Sequence, residues 1–474
     1  MIYNSFNFII LYPLLFLAYY FIPAKLQNIR NFYLLILSYL LYMNYYPAYS
    51  LLLLGVTVLS FFMAIQIEAK KAEGGGKYWL IASVIVTLIP LIFFKYFNFI
   101  NETCFSLMQM VGLRYELHGL NWVIPVGISF YTFQAVGYLC DTWNGKVNAE
   151  RNFTHYALFL SFFPSIVSGP INKASLLIPQ IKAIRPYFDY KKSVAGLKML
   201  LWGMFMKVVV ADRVALYVDV VCPQYQHYTS SSLFLASVLY TIQIYSDFAG
   251  YSLMAIGVGK TLGFELTENF RRPYFAFSVT EFWRRWHISL STWLKDYVYI
   301  PLGGSRCSRL RNYWNIIVTF LVSGIWHGAN WTFVVWGLWH GLFQVVEKAT
   351  NQQNNRYGAF GTMIKIVVTF MIVNFAWIIF RMPSIKDAYL MIVRMFSSSA
   401  FGGIFLPGNS DLLFMTLGIT LLFLNDLTEE YYPSKIKLMD NSRIWVRWTT
   451  YILCVILIMM AGVFDAGQFI YVQF

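Results

Sequence analysis

Long runs of apolar residues recur along the whole chain and predict a protein built from membrane-spanning helices. A spanning helix needs about 20 mostly apolar residues, and runs of roughly this kind are separated by short polar segments. They lie near residues 8–22, 31–48, 50–65, 78–99, 122–140, 195–211, 231–246, 313–346, 361–380, 411–425 and 446–463, and the run 313–346 is long enough for more than one pass. We therefore predict an all-α membrane protein, a polytopic helical bundle.

Composition and charge agree with this prediction. Apolar residues make up 58% of the 474 residues and charged residues only 12%, whereas soluble domains carry about a quarter charged residues. The chain shows no linker or low-complexity segment, which predicts a single membrane domain over residues 1–474. The net charge of +14 is typical of cytoplasmic loops that face anionic lipid headgroups, so the bilayer, and not nucleic acid, is the expected partner.

Basic residues in alternate loops predict an orientation. They follow the first, third and fifth apolar runs, at Lys25, Arg30, Lys70, Lys71, Lys77, Lys146 and Arg151. The loop 101–121 is nearly balanced, with Glu102, Arg114 and Glu116. Because basic loops favour the cytoplasm, we predict a multi-pass protein of the cell (inner) membrane with an extracytoplasmic N-terminus.

The short apolar segment 155–170 lies between two basic loops. Phe163-Pro164 and Gly169-Pro170 interrupt it. Irregular backbone at membrane depth is tolerated only against protein or a watery cavity. The segment is therefore either a re-entrant or interfacial segment or a short, kinked span.

The basic loop 260–311 contains a predicted amphipathic helix. Ser278 to Glu281 form a capping-box pattern that starts a helix, and Pro301 with Gly303-Gly304 stops it, so we predict a helix over about 281–300. One face carries an aromatic stripe typical of a membrane interface, formed by Trp283, Trp286, Leu290, Trp293 and Tyr297 beside Arg284, Ser291 and Lys295. His287 lies at the seam, where an imidazole either meets an anionic donor or is simply solvated.

His327 is the strongest candidate for chemistry. It lies within Ser323 to Asn330, inside an otherwise apolar run, and ionisable groups at membrane depth are costly and mark reaction sites or relays. Ser323, His327 and Asn330 are expected on one helical face, where the polar neighbours either fix the imidazole tautomer or form interhelical hydrogen bonds. Gly324 and Gly328 predict a closely packed neighbouring helix.

Three other features leave their roles open. His340, in a second Trp-His-Gly pattern, competes with His327, because spacing alone does not decide between them. Asp247 ends an apolar run and is either a counter-ion to a loop arginine or part of a polar tunnel. The scattered cysteines predict neither a disulfide framework nor a metal site; they are Cys104, Cys140, Cys222, Cys307 and Cys454.

Two stretches closely resemble signatures of the membrane-bound O-acyltransferases, in the form found in the bacterial branch that O-acetylates alginate. They are Glu281–Tyr297 and Gly324–Asn330. Supporting similarities run through most of the chain, at Pro125–Gln134, Phe163–Pro170, Gln243–Ser252 and the closing Phe469–Phe474. The resemblance is weakest over residues 385–445.

This resemblance implies a ring of membrane helices around a central tunnel, which joins a cytoplasmic acyl donor to an extracytoplasmic hydroxyl acceptor. It places the two important family histidines at His327 and His287 and makes His340 secondary. We expect His327 to take the proton of the acceptor hydroxyl and His287 to position the donor thioester or polarise its carbonyl. The candidate substrate-binding residues are Trp286, Arg284, Ser291, Trp326, Asn330 and Asp247.

The expected function is transfer of an acyl group, most simply acetyl, to an extracellular or cell-wall polysaccharide. The donor substrate is a thioester, acetyl-CoA or an acylated carrier protein, and no bound cofactor is expected. Expected partners are an extracytoplasmic acetyl-transfer protein and a cytoplasmic acyl carrier.

Alternatives within the family are D-alanyl transfer to teichoic acid and O-acetylation of peptidoglycan. From other classes, a proton-coupled transporter or a membrane scaffold would also bury polar residues, although a transporter predicts inverted repeats, which the sequence does not show.

Overall fold

The computed structural model describes residue 3 and residues 6–113, 119–167, 169–185, 187–355, 357–397, 401–432 and 438–464. Throughout these ranges the regular secondary structure is helical, as the apolar pattern predicts. Arg114 and Glu116 of the balanced loop lie outside the described residues, as does the closing stretch Phe469–Phe474.

The helices are numbered here in chain order. They are α1 (Phe6–Phe21), α2 (Gln27–Met43), α3 (Pro47–Ala72), α4 (Gly76–Leu91), α5 (Phe97–Met110), α6 (Ile128–Trp143), α7 (Phe153–Ser161), α8 (Phe163–Ile166), α9 (Ala174–Lys182), α10 (Tyr190–Met204), α11 (Asp212–Val221), α12 (Ser230–Thr261), α13 (Val279–Arg285), α14 (Ile288–Leu294), α15 (Arg309–His327), α16 (Trp331–Ala349), α17 (Ala359–Arg381), α18 (Ile385–Met395), α19 (Asn409–Tyr431) and α20 (Ile444–Ala461). Short π-helical segments at Ile92–Tyr96, Phe205–Ala211 and Lys295–Tyr299 continue α4, α10 and α14.

Six helical stretches among the described residues are long and apolar enough to cross a membrane. They are Pro47–Ala72, Gly76–Met110, Tyr190–Val221, Ala359–Arg381, Asn409–Tyr431 and Ile444–Ala461. Each coincides with a run predicted from the sequence. The first two predicted runs form a pair of helices bent by 101°, Asn7–Phe21 and Ala24–Met43. The prediction of an all-α, polytopic membrane protein is confirmed.

The segment 155–170 folds as two short helices, α7 and α8, which meet at Phe162. With a rise of about 1.5 Å per residue, the nine residues of α7 extend over only about 14 Å, roughly half the thickness of a bilayer's hydrocarbon core. The helix residues from Tyr156 to Ile166 are buried by protein. This geometry favours the re-entrant or interfacial alternative over a kinked span.

Contacts between residues divide the chain into two compact units. The first consists mainly of Asn7–Ser193 and Gly259–Thr267, and the second mainly of Val194–Val258 and Glu268–Phe474. In the first unit α3 packs against α4 and α6, and α2 packs against α7. Every candidate site residue belongs to the second unit. The single domain and the ring of helices stay predictions.

The second unit is built around a closely packed hairpin of α15 and α16. A Cβ atom on Gly324 would clash with the Phe333 carbonyl oxygen, and one on Gly337 would clash with the Phe320 carbonyl oxygen. Only glycine therefore allows the two helices to approach this closely. The close approach predicted at Gly324 is confirmed, whereas Gly328 lies just beyond the end of α15 and packs against the Phe333 ring.

Candidate active site

The helix predicted over residues 281–300 begins as expected but is interrupted at His287. The Ser278 hydroxyl accepts a hydrogen bond from the Glu281 N–H (3.0 Å), and the Glu281 carboxylate accepts one from the Phe277 N–H (2.9 Å). The helix α13 then ends at Arg285, and α14 starts at Ile288. The prediction of one continuous helix is wrong.

His287 connects the two helices in the left-handed conformation, with φ 43° and ψ 53°. Non-glycine residues adopt this region in only a few per cent of cases. Asn269 satisfies the backbone at the break, because its carbonyl accepts from the Ile288 N–H (2.9 Å) and its side chain accepts from the Ser289 N–H (3.1 Å). Strained backbone of this kind persists where the surroundings hold it, often at functional sites. Sequence reasoning missed Asn269, since its role depends on contacts distant in sequence.

The tryptophan stripe of this segment is inside the protein and not at the membrane interface. Trp283, Trp286 and Trp293 are all buried. The ring of Trp286 packs against those of Phe282 and Trp377, with centroids 5.4 and 5.0 Å apart. The interfacial prediction is wrong because the stripe fills the aromatic core of the second unit.

The break at His287 brings this residue to His327. Their ring centroids are 6.3 Å apart, and both side chains are buried. Trp326 lies beside both imidazoles, with centroids 5.7 Å from His287 and 5.0 Å from His327. Phe248 covers His287, while Trp336 and Phe380 cover His327. The two histidines selected from separate sequence motifs therefore share one aromatic-walled site.

His327 is the last residue of α15, so the apolar run 313–346 folds back on itself directly after it. Ser323, one turn earlier, remains on the same helix, as predicted. Asn330 does not share that helical face, because it caps α16: its side chain accepts from the Thr332 N–H (3.0 Å) and donates to the Pro383 carbonyl (3.0 Å). The predicted shared face is wrong for Asn330, since the helix ends between the two residues.

His340 packs against Trp336, a ring that also packs against His327. The Trp336 ring contacts both imidazoles, with centroids 5.0 Å from His327 and 4.9 Å from His340. His340 is fully buried, and neither of its ring nitrogens has a hydrogen-bond partner among the described residues. The structure thus pairs His327, and not His340, with His287.

A cavity of about 500 Å³ extends from the protein surface toward the histidine pair. The exposed side chains of Arg284 and Lys295 line its wall, as do Ile288, which follows His287, and Ser323, which lies one turn before His327. The remaining lining residues are Thr280, Trp283, Ser291, Thr292, Leu294, Tyr299, Ile316, Thr319, Phe320, Gln344, Lys348 and Gln353. The predicted substrate-binding residues Arg284 and Ser291 therefore belong to one cavity, whereas the fully buried Trp286 packs in the core and Trp326 contacts the histidines.

Asp247 pairs with a lysine within the protein and not with a loop arginine. The Lys207 ammonium is 2.7 Å from the nearest carboxylate oxygens of both Asp247 and Asp212. All three side chains are buried, and Lys207 lies in the π-helical segment Phe205–Ala211. This pairing supports the prediction that Asp247 is a counter-ion, although its partner is Lys207 and not a loop arginine. A substrate-binding role for Asp247 stays a prediction. Sequence reasoning missed Lys207 because it stands alone within an apolar run.

Burial disfavours the charged form of the His287 imidazole. His287 lies outside the six candidate membrane spans, and its burial lowers its pKa to about 3. A neutral imidazole carries one N–H donor and one nitrogen acceptor. His287 is thus suited to hydrogen bonding and not to binding an anion by charge, which the sequence left open.

A family model for the membrane-bound O-acyltransferases matches residues 146–392. This range covers just over half of the chain and includes both histidines. The chain belongs to the membrane-bound O-acyltransferase family. It is therefore an O-acyltransferase, and not the transporter or scaffold that its buried polar residues also allowed.

Named relatives of this acyltransferase differ in their acceptors. It is 38% identical to the probable alginate O-acetylase AlgI of Pseudomonas aeruginosa over 399 residues, which cover 84% of this chain and 75% of the relative. It is 33% identical to the peptidoglycan O-acetyltransferase of Helicobacter pylori over 81% of this chain and 77% of the relative. Identity to the teichoic acid D-alanyltransferase of Bacillus subtilis is 24% over 69% of this chain and 82% of the relative.

Proposed function

We propose that this acyltransferase moves an acetyl group from a cytoplasmic thioester across the membrane for O-acetylation of an extracellular or cell-wall polysaccharide, with His327 and His287 at the reaction centre. The observation that carries the proposal is the meeting of the two buried imidazoles, 6.3 Å apart, beside a cavity lined by cationic side chains. General bases of near-neutral pKa and an environment that excludes water are what attack on a thioester requires.

In the proposed reaction His327 removes the proton of the acceptor hydroxyl while the hydroxyl oxygen attacks the thioester carbonyl carbon. The new C–O bond forms, the C–S bond breaks, and the departing thiolate takes the proton back from His327. His287 donates its single N–H to the thioester and so positions it or polarises its carbonyl. Aromatic walls from Trp326 and Trp336 exclude water, which would otherwise hydrolyse the donor.

The cationic part of the cavity suits the donor. Arg284, Lys295 and Lys348 line it, and phosphate groups are bound well by arginine and lysine. Both expected donors, acetyl-CoA and an acylated carrier protein, place phosphates at the far end of a pantetheine chain from the thioester. A chain anchored by its phosphates at these cations extends inward, toward Ile288 and Ser323.

The proposed orientation follows the basic loops. Residues 260–311, which carry Arg284 and Lys295 of the cavity wall, face the cytoplasm of a cell with this protein in its inner membrane, and the N-terminus is extracytoplasmic. The donor or its carrier protein then approaches from the cytoplasm. An extracytoplasmic partner protein passes the acetyl group to the polymer.

Relatives named as O-acetylating enzymes support acetyl as the acyl group over D-alanyl. Both acetyl-transferring relatives match more of this chain, at higher identity, than the D-alanyltransferase does. Peptidoglycan O-acetylation is the second candidate, since one of these relatives carries that name.

Mass analysis of cell-surface polymers with and without the protein tests the proposal. We expect loss of an acetyl ester from one exopolysaccharide, unchanged D-alanine esters, and restoration when the protein is supplied again. Purified protein in lipid nanodiscs should also consume the acetyl thioester only with an acceptor present. Loss of D-alanine esters with intact O-acetylation would contradict the acetyl assignment.

A further inference from the structure

Two buried hydrogen-bond donors line the donor cavity without a partner. The Ser323 hydroxyl on α15 and the Trp283 indole N–H on α13 make no hydrogen bond to the described residues. Ser323 is fully buried and Trp283 is 6% exposed, and both belong to the cavity wall. Buried polar groups are nearly always paired, so each exception calls for an explanation such as a missing ligand.

Some donors of the same kind in the same unit are paired, and the indole N–H groups of Trp286 and Trp336, which also lack a partner among the described residues, lie outside the cavity wall. Thr319, one turn before Ser323 on α15 and in the same cavity wall, donates its hydroxyl to the Asn315 carbonyl (2.6 Å). Such a bond to the preceding turn is the usual arrangement for a buried helical hydroxyl. The indole N–H of Trp339 likewise donates to the Ile372 carbonyl (3.1 Å). Ser323 and Trp283 thus combine a donor that has no partner among the described residues with a place in the cavity wall.

The two donors lie on the elements that carry the two histidines. Trp283 packs against Phe320, with ring centroids 5.1 Å apart, and Phe320 precedes Ser323 by three residues. Ser323 precedes His327 by one helical turn, which separates their Cβ atoms by about 5–6 Å. A carbonyl held at Ser323 would leave room for an attacking hydroxyl between it and the His327 imidazole.

We propose that the Ser323 hydroxyl and the Trp283 indole N–H bind the carbonyl oxygen of the donor thioester and stabilise the negative charge that develops there. This inference rests on the proposed function. As the acceptor oxygen bonds to the carbonyl carbon, the π-electron pair of the C=O bond moves to its oxygen, and the two donors, together with His287, stabilise that oxyanion. When the C–S bond breaks, the pair re-forms the C=O bond.

The test uses full-length protein in nanodiscs, with acetyl-CoA and a polysaccharide acceptor. Ser323→Ala and Trp283→Phe remove one donor each while keeping most of the packing volume. We expect each to lower kcat at least tenfold, with KM for acetyl-CoA changed less than threefold, because the bonds strengthen as charge develops. Binding of S-ethyl-CoA, a thioether without the carbonyl oxygen, should be equal in wild type and variants.

Matched controls remove donors that are already paired. Ser237 is buried and donates to the Phe234 carbonyl, so Ser237→Ala and Trp339→Phe should keep kcat within twofold. Wild-type kcat in both Ser323→Ala and Trp283→Phe would overturn the inference while leaving the proposed function intact. So would weaker S-ethyl-CoA binding in proportion to the loss of kcat, which indicates a packing role. Absence of transfer by the wild type would instead refute the proposed function.

Discussion

Two regions of the second unit bury ionisable side chains by different means. Around Lys207, two aspartates supply opposite charge at 2.7 Å, so each group of the cluster has an oppositely charged partner. Around His287 and His327 the neighbours are aromatic rings, and an adjoining cavity is lined by further polar groups. Charge compensation is sufficient explanation for the first region. The second adjoins a cavity that a substrate can occupy, which is typical of a reaction site.

The largest expected effect is on the stability of the protein, at the buried ion cluster of Lys207, Asp212 and Asp247. Lys207→Met leaves the buried carboxylates of Asp212 and Asp247 without their cation, and we expect it to destabilise the protein by about 3–5 kcal/mol. Chemical denaturation in detergent micelles measures the loss. The triple variant Lys207→Met/Asp212→Asn/Asp247→Asn should recover most of the stability and keep acyl transfer. A stable but inactive triple variant would show that Asp247 serves the reaction.

A smaller effect, on activity with little change in stability, is expected at His287. Asparagine also adopts the left-handed conformation readily, so His287→Asn should keep stability within about 1 kcal/mol while transfer falls about 100-fold, a typical loss when a hydrogen-bond donor to the reacting carbonyl is removed. A β-branched residue does not fit this conformation, so His287→Val should unfold at a clearly lower temperature. Equal activity of wild type and His287→Asn would remove His287 from the site.

The smallest effect is expected at Glu347, which connects the hairpin to α13. Its carboxylate on α16 accepts hydrogen bonds from the backbone N–H groups of Val279 and Thr280 (2.5 and 2.9 Å) and from the Thr280 hydroxyl (2.8 Å). Glu347→Gln weakens this cap and should cost about 0.5–2 kcal/mol. Chemical denaturation at pH 7 checks the value, with Glu347→Asp as the variant that keeps the carboxylate.

Glu347 also predicts a pH dependence of stability. Burial raises its pKa above the ordinary value of 4.5, so the folded protein binds this proton more tightly than the unfolded chain. The stabilisation that this tighter proton binding gives the folded protein is fully present below pH 4.5 and is lost as the pH rises through the raised pKa of Glu347. As the pH rises from 4.5 to 7, the free energy of unfolding of Glu347→Gln should therefore fall by less than that of the wild type. Parallel pH profiles would contradict this assignment.

The sequence alone predicted the six candidate spans, the capping box at Ser278 and the two histidines that meet in the candidate site, because apolar length, local capping and signature motifs are encoded over short stretches. It did not predict the break at His287, because no proline or glycine marks it and Asn269, distant in sequence, stabilises it. The end of α15 at His327 was missed for a related reason: the apolar run continues through the turn. Lys207 paired with Asp247 was also missed, since only packing of α12 against the π-helical segment brings them together.

The central claim is that His327, paired with His287, carries the acyl transfer. Its most direct test compares purified wild type, His327→Ala and His340→Ala in nanodiscs, with acetyl-CoA as donor and the melting temperature of each variant as a check on folding. We predict at least a 100-fold loss of transfer for His327→Ala and less than a tenfold loss for His340→Ala. Wild-type transfer by a folded His327→Ala protein would contradict the claim.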